Sequence, residues 1–189
     1  MPELSDIYFA TTNTNKFNEV KDILSNYDIK VKMVELDLLE IQSNDLEVIA
    51  MDKAKDACRK LNARVIIEDD GLFIASLKGF PGPYSSFVFK TIGNEGIIQL
   101  MKSYSDRTAT FRSVIAYCEP NNITLTFVSN VNGEISAEIS GKGWGYDPVF
   151  IPNDSAQLTY AELGSKKNES SHRKLALEKF AHWIKNHRY

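Results

Sequence analysis

A chain of 189 residues with 43% hydrophobic and 25% charged residues is a globular protein of one ordinary domain, or of one domain with two lobes. Its net charge of −3 leaves no general electrostatic footprint for a nucleic-acid polymer or an anionic membrane, so any polyanionic ligand must be met by a local basic cluster. No apolar run approaches the roughly 18 residues of a membrane span.

The opening "MPELSDIYFA" has no basic region followed by a long apolar stretch, so no signal peptide and a cytoplasmic location are expected. Ile7 to Thr11 reads as a buried strand, and the helix after it carries Phe17, Val20, Ile23 and Leu24 on one face. A strand is expected near Ile29 to Leu36 and a loop around Glu40 to Asn44. The next helix, Leu46 to Leu61, has the apolar stripe Leu46, Ile49, Ala50, Ala54, Ala57 and Leu61, with Lys53 projecting into the middle of it. "RVIIEDDG" reads as an apolar strand that ends in three carboxylates and a glycine. "GFPGPY" is a loop, followed by helical residues at Ser85 to Thr91 and Gly96 to Lys102. "TATFRSVIAYC" and "ITLTFVSNVNGEI" form a strand pair, and "GKGWGYDP" is a glycine-rich loop before a short "VFI" strand. A last helix, Ser171 to Asn186, is capped by Ser170 or Ser171 and packs through Leu177, Phe180, Ala181 and Ile184. This order predicts an α/β fold with a mixed sheet in a single unit, 1–189. Cys58 and Cys118 have no metal-ligand spacing and read as buried thiols of a reduced compartment.

Four stretches could carry chemistry. In "ATTNTNKFNEV" a strand turns into a helix through Thr11, Thr12, Asn13, Thr14 and Asn15, and Lys16 sits in the first helical turn, where the macrodipole disfavours a cation. An anion bound at the free N–H groups of that helix start would reverse the argument; a capped turn with a solvated lysine is the other reading. Glu68, Asp69 and Asp70 are carboxylates too close together to stay uncompensated, and they either carry a hard cation such as Mg²⁺, share a proton, or form an acidic turn. His172 and Arg173 place cations at a second helix start. Trp144 and Tyr146 either offer a stacking platform for a base or plug the core. His182 and His187 have no zinc-ligand pattern.

Together, "ATTNTNKFNEV", "VIIEDDGLFIASLKGFPGPYSS", "GWGYDPVF" and "TYAELGSKKNESSHR" resemble, in order and over nearly the whole chain, the motifs of the inosine triphosphate pyrophosphatase family. The resemblance implies an elongated mixed β-sheet with flanking helices and two lobes around a central nucleotide cleft, in a homodimer. It implies Mg²⁺-dependent hydrolysis of deaminated purine nucleoside triphosphates (ITP, dITP, XTP) to the monophosphate and pyrophosphate, with Mn²⁺ able to replace Mg²⁺ at oxygen ligands. Carried over by position, Thr11, Asn13 and Lys16 bind the triphosphate with Lys53 nearby. Glu40 and Asp69 hold the metal, and Asp69 or Glu68 activates water. Trp144 stacks on the base, Tyr146 and Asp147 shape its pocket, and Lys167, Ser171, His172 and Arg173 read its edge or the phosphates. Two positions depart from the commoner pattern: Asp70 replaces a Ser or Thr, and Ala50 an Asn. Lys16→Ala is expected to weaken binding and rate with little loss of stability. Two other functions compete: a nucleotide-binding or sensor protein without turnover, and a pyrophosphatase for modified pyrimidine or methylated nucleotides.

Overall fold

The computed structural model describes residues 7–121 and 124–187. Part of the segment read for a leader (residues 1–6) and Ile123 of the expected strand pair lie outside that range.

The first strand, β1 (Ile7–Ala10), pairs in parallel with β2 (Val31–Val34) in the register Ile7↔Val31 to Ala10↔Val34. Between them runs α1 (Thr14–Ser25), started by Asn13 in an extended conformation whose side chain accepts from the N–H groups of Asn15 and Lys16. Helix α2 (Leu46–Leu61) has the bounds that periodicity predicts. Asp45 caps its start through the N–H of Glu47, and Asn62 ends it in the left-handed conformation, with Arg59 and Lys60 in the last turn where the dipole favours cations.

Strand β3 (Arg64–Ile74) pairs in parallel with β1, Ile7↔Arg64 to Phe9↔Ile66. It corrects one expectation. The strand does not end in the carboxylates but runs through Glu68, Asp69 and Asp70 to Ile74, and its last part pairs antiparallel with β4 (Pro81–Gly82), Leu72↔Gly82 and Phe73↔Pro81. Gly71 permits this pairing, because a Cβ there would lie 2.6 Å from the Gly82 carbonyl oxygen. The acidic residues are therefore alternating side chains of a continuous strand and not the tip of a turn.

Helix α3 (Ser85–Leu100) merges the two predicted helical pieces across Gly93, whose φ of 64° breaks the helical geometry between them. Strands β5 (Thr108–Cys118) and β6 (Thr124–Ile135) follow, then β7 (Phe150–Pro152), which pairs antiparallel with β6. Two single-turn helices, α4 (Tyr160–Leu163) and α5 (Lys167–Ser170), lead to α6 (His172–Asn186). Among the described residues the sheet has seven strands, ordered β2-β1-β3-β5-β6-β7 with β4 on β3, so the fold is α/β with a mixed sheet. No helix among the described residues is long and apolar enough to cross a membrane.

The chain divides into two compact units. Unit 1 comprises Met1–Asp69, Ser113–Ser129 and Arg173–Tyr189. Its core packs Phe9, Val20, Leu24 and Ile66 with Leu177, Phe180, Ala181 and Ile184, the face of α6 that periodicity predicts. Unit 2 comprises Asp70–Arg112 and Asn130–His172, with a core built on Leu72, Ile97, Phe111, Phe150 and Tyr160.

Candidate active site

In unit 1, the helix-start lysine has a partner that the local sequence does not reveal. Lys16 Nζ lies 2.8 Å from Glu68 Oε2, and the Glu68 side chain is fully buried. The other carboxylate oxygen, Oε1, accepts from Ser113 Oγ at 2.8 Å and lies 3.1 Å from Arg173 Nε. Arg173, itself fully buried, reaches back to Glu19 on α1, with Nη1 2.5 Å from Oε2. Two cations and two carboxylates thus compensate one another out of water, where an uncompensated charge would cost several kcal/mol. The disfavoured cations at both helix starts face protein carboxylates.

The backbone of the same turn is also committed. Asn13 Oδ1 accepts from Asn15 N at 3.0 Å and Lys16 N at 3.2 Å, and Thr11 Oγ1 accepts from Asn13 N at 3.1 Å. The capped-turn reading of this stretch therefore holds for Asn13 and Thr11, and an incoming anion would compete with these contacts for the N–H groups of Asn13, Asn15 and Lys16.

A second cluster of unit 1 centres on Lys53. Its ammonium donates to Asp69 Oδ1 at 2.7 Å and to Glu40 Oε2 at 2.9 Å, so the inward projection expected from the α2 stripe brings together the two carboxylates that the resemblance assigns to a metal. Asp69 Oδ2 is buried and has no hydrogen-bond partner among the described residues. Burial pushes the Asp69 carboxyl above its ordinary range, and the nearby Lys53 and Lys16 cations only partly oppose this. For Lys53, burial pulls downward, but Asp69 and Glu40 outweigh it and hold the ammonium above its usual value. Among the described residues no group of three or more His, Cys, Asp or Glu is arranged to hold a metal. Two carboxylates sharing one cation, one of them with an unused buried oxygen, fit a hard ion that takes one or two protein oxygens and completes its shell with water and phosphate.

In unit 2, Lys167 and Asp147 are both buried and pair at 2.8 Å, and the Lys167 ammonium also sits 4.9 Å from the centre of the half-buried Trp144 ring. Tyr146 is a core residue: only 4% exposed, it donates from its hydroxyl to the Ser85 carbonyl at 2.9 Å, and burial drives its phenol strongly upward. Of its two readings the core plug holds, and the wall it shares with Phe89 is an edge-to-face ring contact. His172 is 1% exposed and stacks on Phe111 at 4.1 Å with 7° between the rings, and its Nε2 lies 3.9 Å from Asp70 Oδ2. The residue that departs from the commoner pattern, Asp70, is thus next to the histidine. Ser171, also fully buried, precedes α6.

Sequence reasoning missed three residues in these clusters. Glu19 was visible only as the glutamate after Lys16, three positions on and so on the same helical face. Ser113 is a polar residue at an inward position of a strand whose other inward side chains are apolar, which is a signal, though a faint one. Phe111, on the same inward face, gave none.

A family model described as the Ham1 family matches residues 7–183. The dITP/XTP pyrophosphatase of Methanopyrus kandleri is 50% identical over 182 residues, 95% of this chain and 96% of that one. The dITP/XTP pyrophosphatase of Methanosarcina mazei is 44% identical over 94% of this chain and 96% of its own. Among solved structures, the Staphylococcus aureus Ham1 protein superposes with a TM-score of 0.82 at 28% identity, covering 97% of this chain and all of that one. A HAM1 protein from Coxiella burnetii gives a TM-score of 0.84 at 29% identity over 96% and 98% of the two chains.

Proposed function

The chain belongs to the Ham1 family, and we propose that it hydrolyses deaminated purine nucleoside triphosphates, dITP, ITP and XTP, to the monophosphate and pyrophosphate, with residues 1–189 acting as a single pyrophosphatase domain. The observation that carries this reading is the Asp69 carboxylate, with one oxygen held by Lys53 and the other buried without a donor among the described residues. Pure binding of a triphosphate gains nothing from such a group; removal of a proton from water does.

Asp69 is the general base in this mechanism. Its upward displacement by burial brings its proton affinity closer to neutrality, and Oδ2 can take the proton of a water attacking the α-phosphorus in line. Glu68 is unsuited to that step, because Lys16, Arg173 and Ser113 already occupy its oxygens, and its role is to hold Lys16. Lys16 and Lys53 receive the triphosphate and stabilise the charge that grows on the leaving pyrophosphate, beside Thr11 and Asn13. Asp69 and Glu40 would hold Mg²⁺, or Mn²⁺, which when bound supplies charge neutralisation at the phosphate oxygens.

The base is met by the residues that the family resemblance assigns to it. Trp144 stacks on it, with Tyr146 and Asp147 supporting that loop and Lys167 held by Asp147. His172 and Ser171 provide donors for its O6 edge, while Arg173, in unit 1 and engaged by Glu68 and Glu19, holds the carboxylate that pairs with Lys16. Hypoxanthine and xanthine accept at position 6, whereas adenine presents an amino group there that leaves buried donors unpaired. The protein works in the cytoplasm as a homodimer; the exposed Phe80, Tyr84, Phe87 and Ile92 of unit 2 support a self-association surface, which sedimentation would detect.

The test is pyrophosphate release from ITP, dITP, XTP, dUTP, methylated pyrimidine triphosphates, ATP and GTP at millimolar Mg²⁺. Equal release of monophosphate and pyrophosphate from the first three, far above ATP and GTP, is the expected result. Tight ITP binding with no turnover would establish a sensor instead. Preference for dUTP or the methylated substrates would move the protein to the modified-pyrimidine class.

A further inference from the structure

The two cysteines, placed far apart by the sequence, meet in unit 1. Cys58 on α2 is 4% exposed and Cys118, the last residue of β5, is 6% exposed, and Cys118 lies close enough to Cys58 to raise its thiol pKa beyond what burial does. Both line one cavity of about 650 Å³. Lys55, Arg59 and Asn121, which line the same cavity, are exposed, so solvent reaches it from their side. Thr124 Oγ1 lies 3.4 Å from Cys118 Sγ and donates to it. Glu119, on the same lining, is engaged by Arg64 at 2.7 Å and Arg59 by Asp56 at 2.5 Å, which leaves the exposed Lys55 to set the sign of the entrance.

We propose that Cys58 and Cys118 are a redox-active dithiol, a modification site that closes to an intramolecular disulfide by exchange with a small anionic disulfide of the glutathione type. Cys118 Sγ accepts the Thr124 hydroxyl at 3.4 Å and donates to the Glu119 carbonyl at 4.0 Å; once its proton is gone the Thr124 hydroxyl still holds the sulfur, and Cys118 is the attacking group. Burial, and then the neighbouring Cys118, push the Cys58 thiol up to about 12, which makes it the resolving partner. In the first step deprotonated Cys118 attacks one sulfur of the small disulfide, forming a mixed disulfide and releasing one thiol. Cys58 then gives up its proton and attacks Cys118 Sγ, forming the internal bond and releasing the second thiol. Two protein thiols are oxidised and one small disulfide is reduced to two thiols. The new bond ties α2, the helix that carries Lys53, to the end of β5.

The experiment treats the full-length reduced protein with excess oxidised glutathione at pH 8 and reads intact mass after acid quenching. Wild type should lose two hydrogens, carry no glutathione, and regain its mass with dithiothreitol. Cys58→Ser should trap one glutathione on Cys118, and Cys118→Ser should stay unmodified over the same time. Stable glutathione adducts on wild type would overturn the proposal, as would a folded protein that stays reduced while the urea-unfolded chain oxidises. Cystamine, a cationic disulfide, should react several-fold more slowly than oxidised glutathione at low salt. Equal rates would overturn the assignment of an anionic oxidant.

Discussion

The half-buried Lys16 and the fully buried Glu68 form an ion pair at 2.8 Å between a helix start and the middle of a strand. A cation in the first turn of α1, unfavourable beside the helix dipole, is thus compensated from within the protein. This changes what is expected of Lys16→Ala. Glu68 would keep Arg173 and Ser113 but lose its closest counter-charge, so folded stability should fall by about 1–3 kcal/mol in addition to the loss of triphosphate affinity. Thermal unfolding and KM for ITP, measured on the same preparation, check both effects; an unchanged melting temperature would contradict the pairing.

Ser113 fixes the rotamer of Glu68 and through it Lys16, without touching substrate in the proposed mechanism. Ser113→Ala should raise KM for ITP by about tenfold, with kcat changed less, because the loss of one buried hydrogen bond costs about 1–2 kcal/mol. Ser113→Thr should restore most of it. A mere packing role would lower the melting temperature and leave KM unmoved.

Asp69→Asn should reduce turnover by about 10²–10⁴-fold with ITP binding retained, as expected for a lost general base. In wild type the acid limb of the pH–rate profile should lie above the ordinary carboxylate range, since the base acts only when deprotonated and burial raises its proton affinity. The same shift has a stability sign. A carboxyl whose folded pKa is raised contributes stability below its unfolded pKa, about 3.9, and loses it as pH rises through the folded value. Metal-free wild type should therefore lose stability across that window relative to Asp69→Asn, which chemical denaturation at several pH values would reveal.

Chelation should abolish turnover, and added Mg²⁺ restore it. Lys53→Met should separate the two cations in the site: with the ammonium gone, Asp69 and Glu40 are left to the metal alone. Mg²⁺ affinity of the free protein should rise by about tenfold, about 1.4 kcal/mol, while turnover falls. Calorimetric titration reads the first and pyrophosphate release the second. Weaker Mg²⁺ binding in Lys53→Met would remove these carboxylates as the metal's ligands.

Away from the site, the Lys174 hydrogen bond, followed by that of Tyr27 at 2.6 Å, holds the Glu178 carboxyl below its ordinary range. A lowered folded pKa contributes stability above the unfolded value and loses it as pH falls through the folded one. Because the pair is only half-buried and sits within one helix, Glu178→Gln should cost less than about 1 kcal/mol at pH 7 and nothing near pH 2. Paired denaturation curves at the two pH values test this.

The local sequence determined a good deal. The apolar stripe of α2 set both of its ends and the inward course of Lys53, since helical periodicity and capping depend on residues a few positions apart. The buried face of α6 was legible for the same reason. Tertiary structure alone decided where β3 stops, because its continuation past Asp70 depends on a strand pairing with Pro81 and Gly82. It also decided which charges meet. Nothing near Lys16 in the chain names Glu68, nothing near Arg173 names Glu19, and the two cysteines share a cavity only through the packing of α2 against the end of β5. Residue type and spacing state that a charge must be compensated; the partner is chosen by whichever distant strand or helix the core brings alongside it, out of water, where leaving the charge alone costs too much.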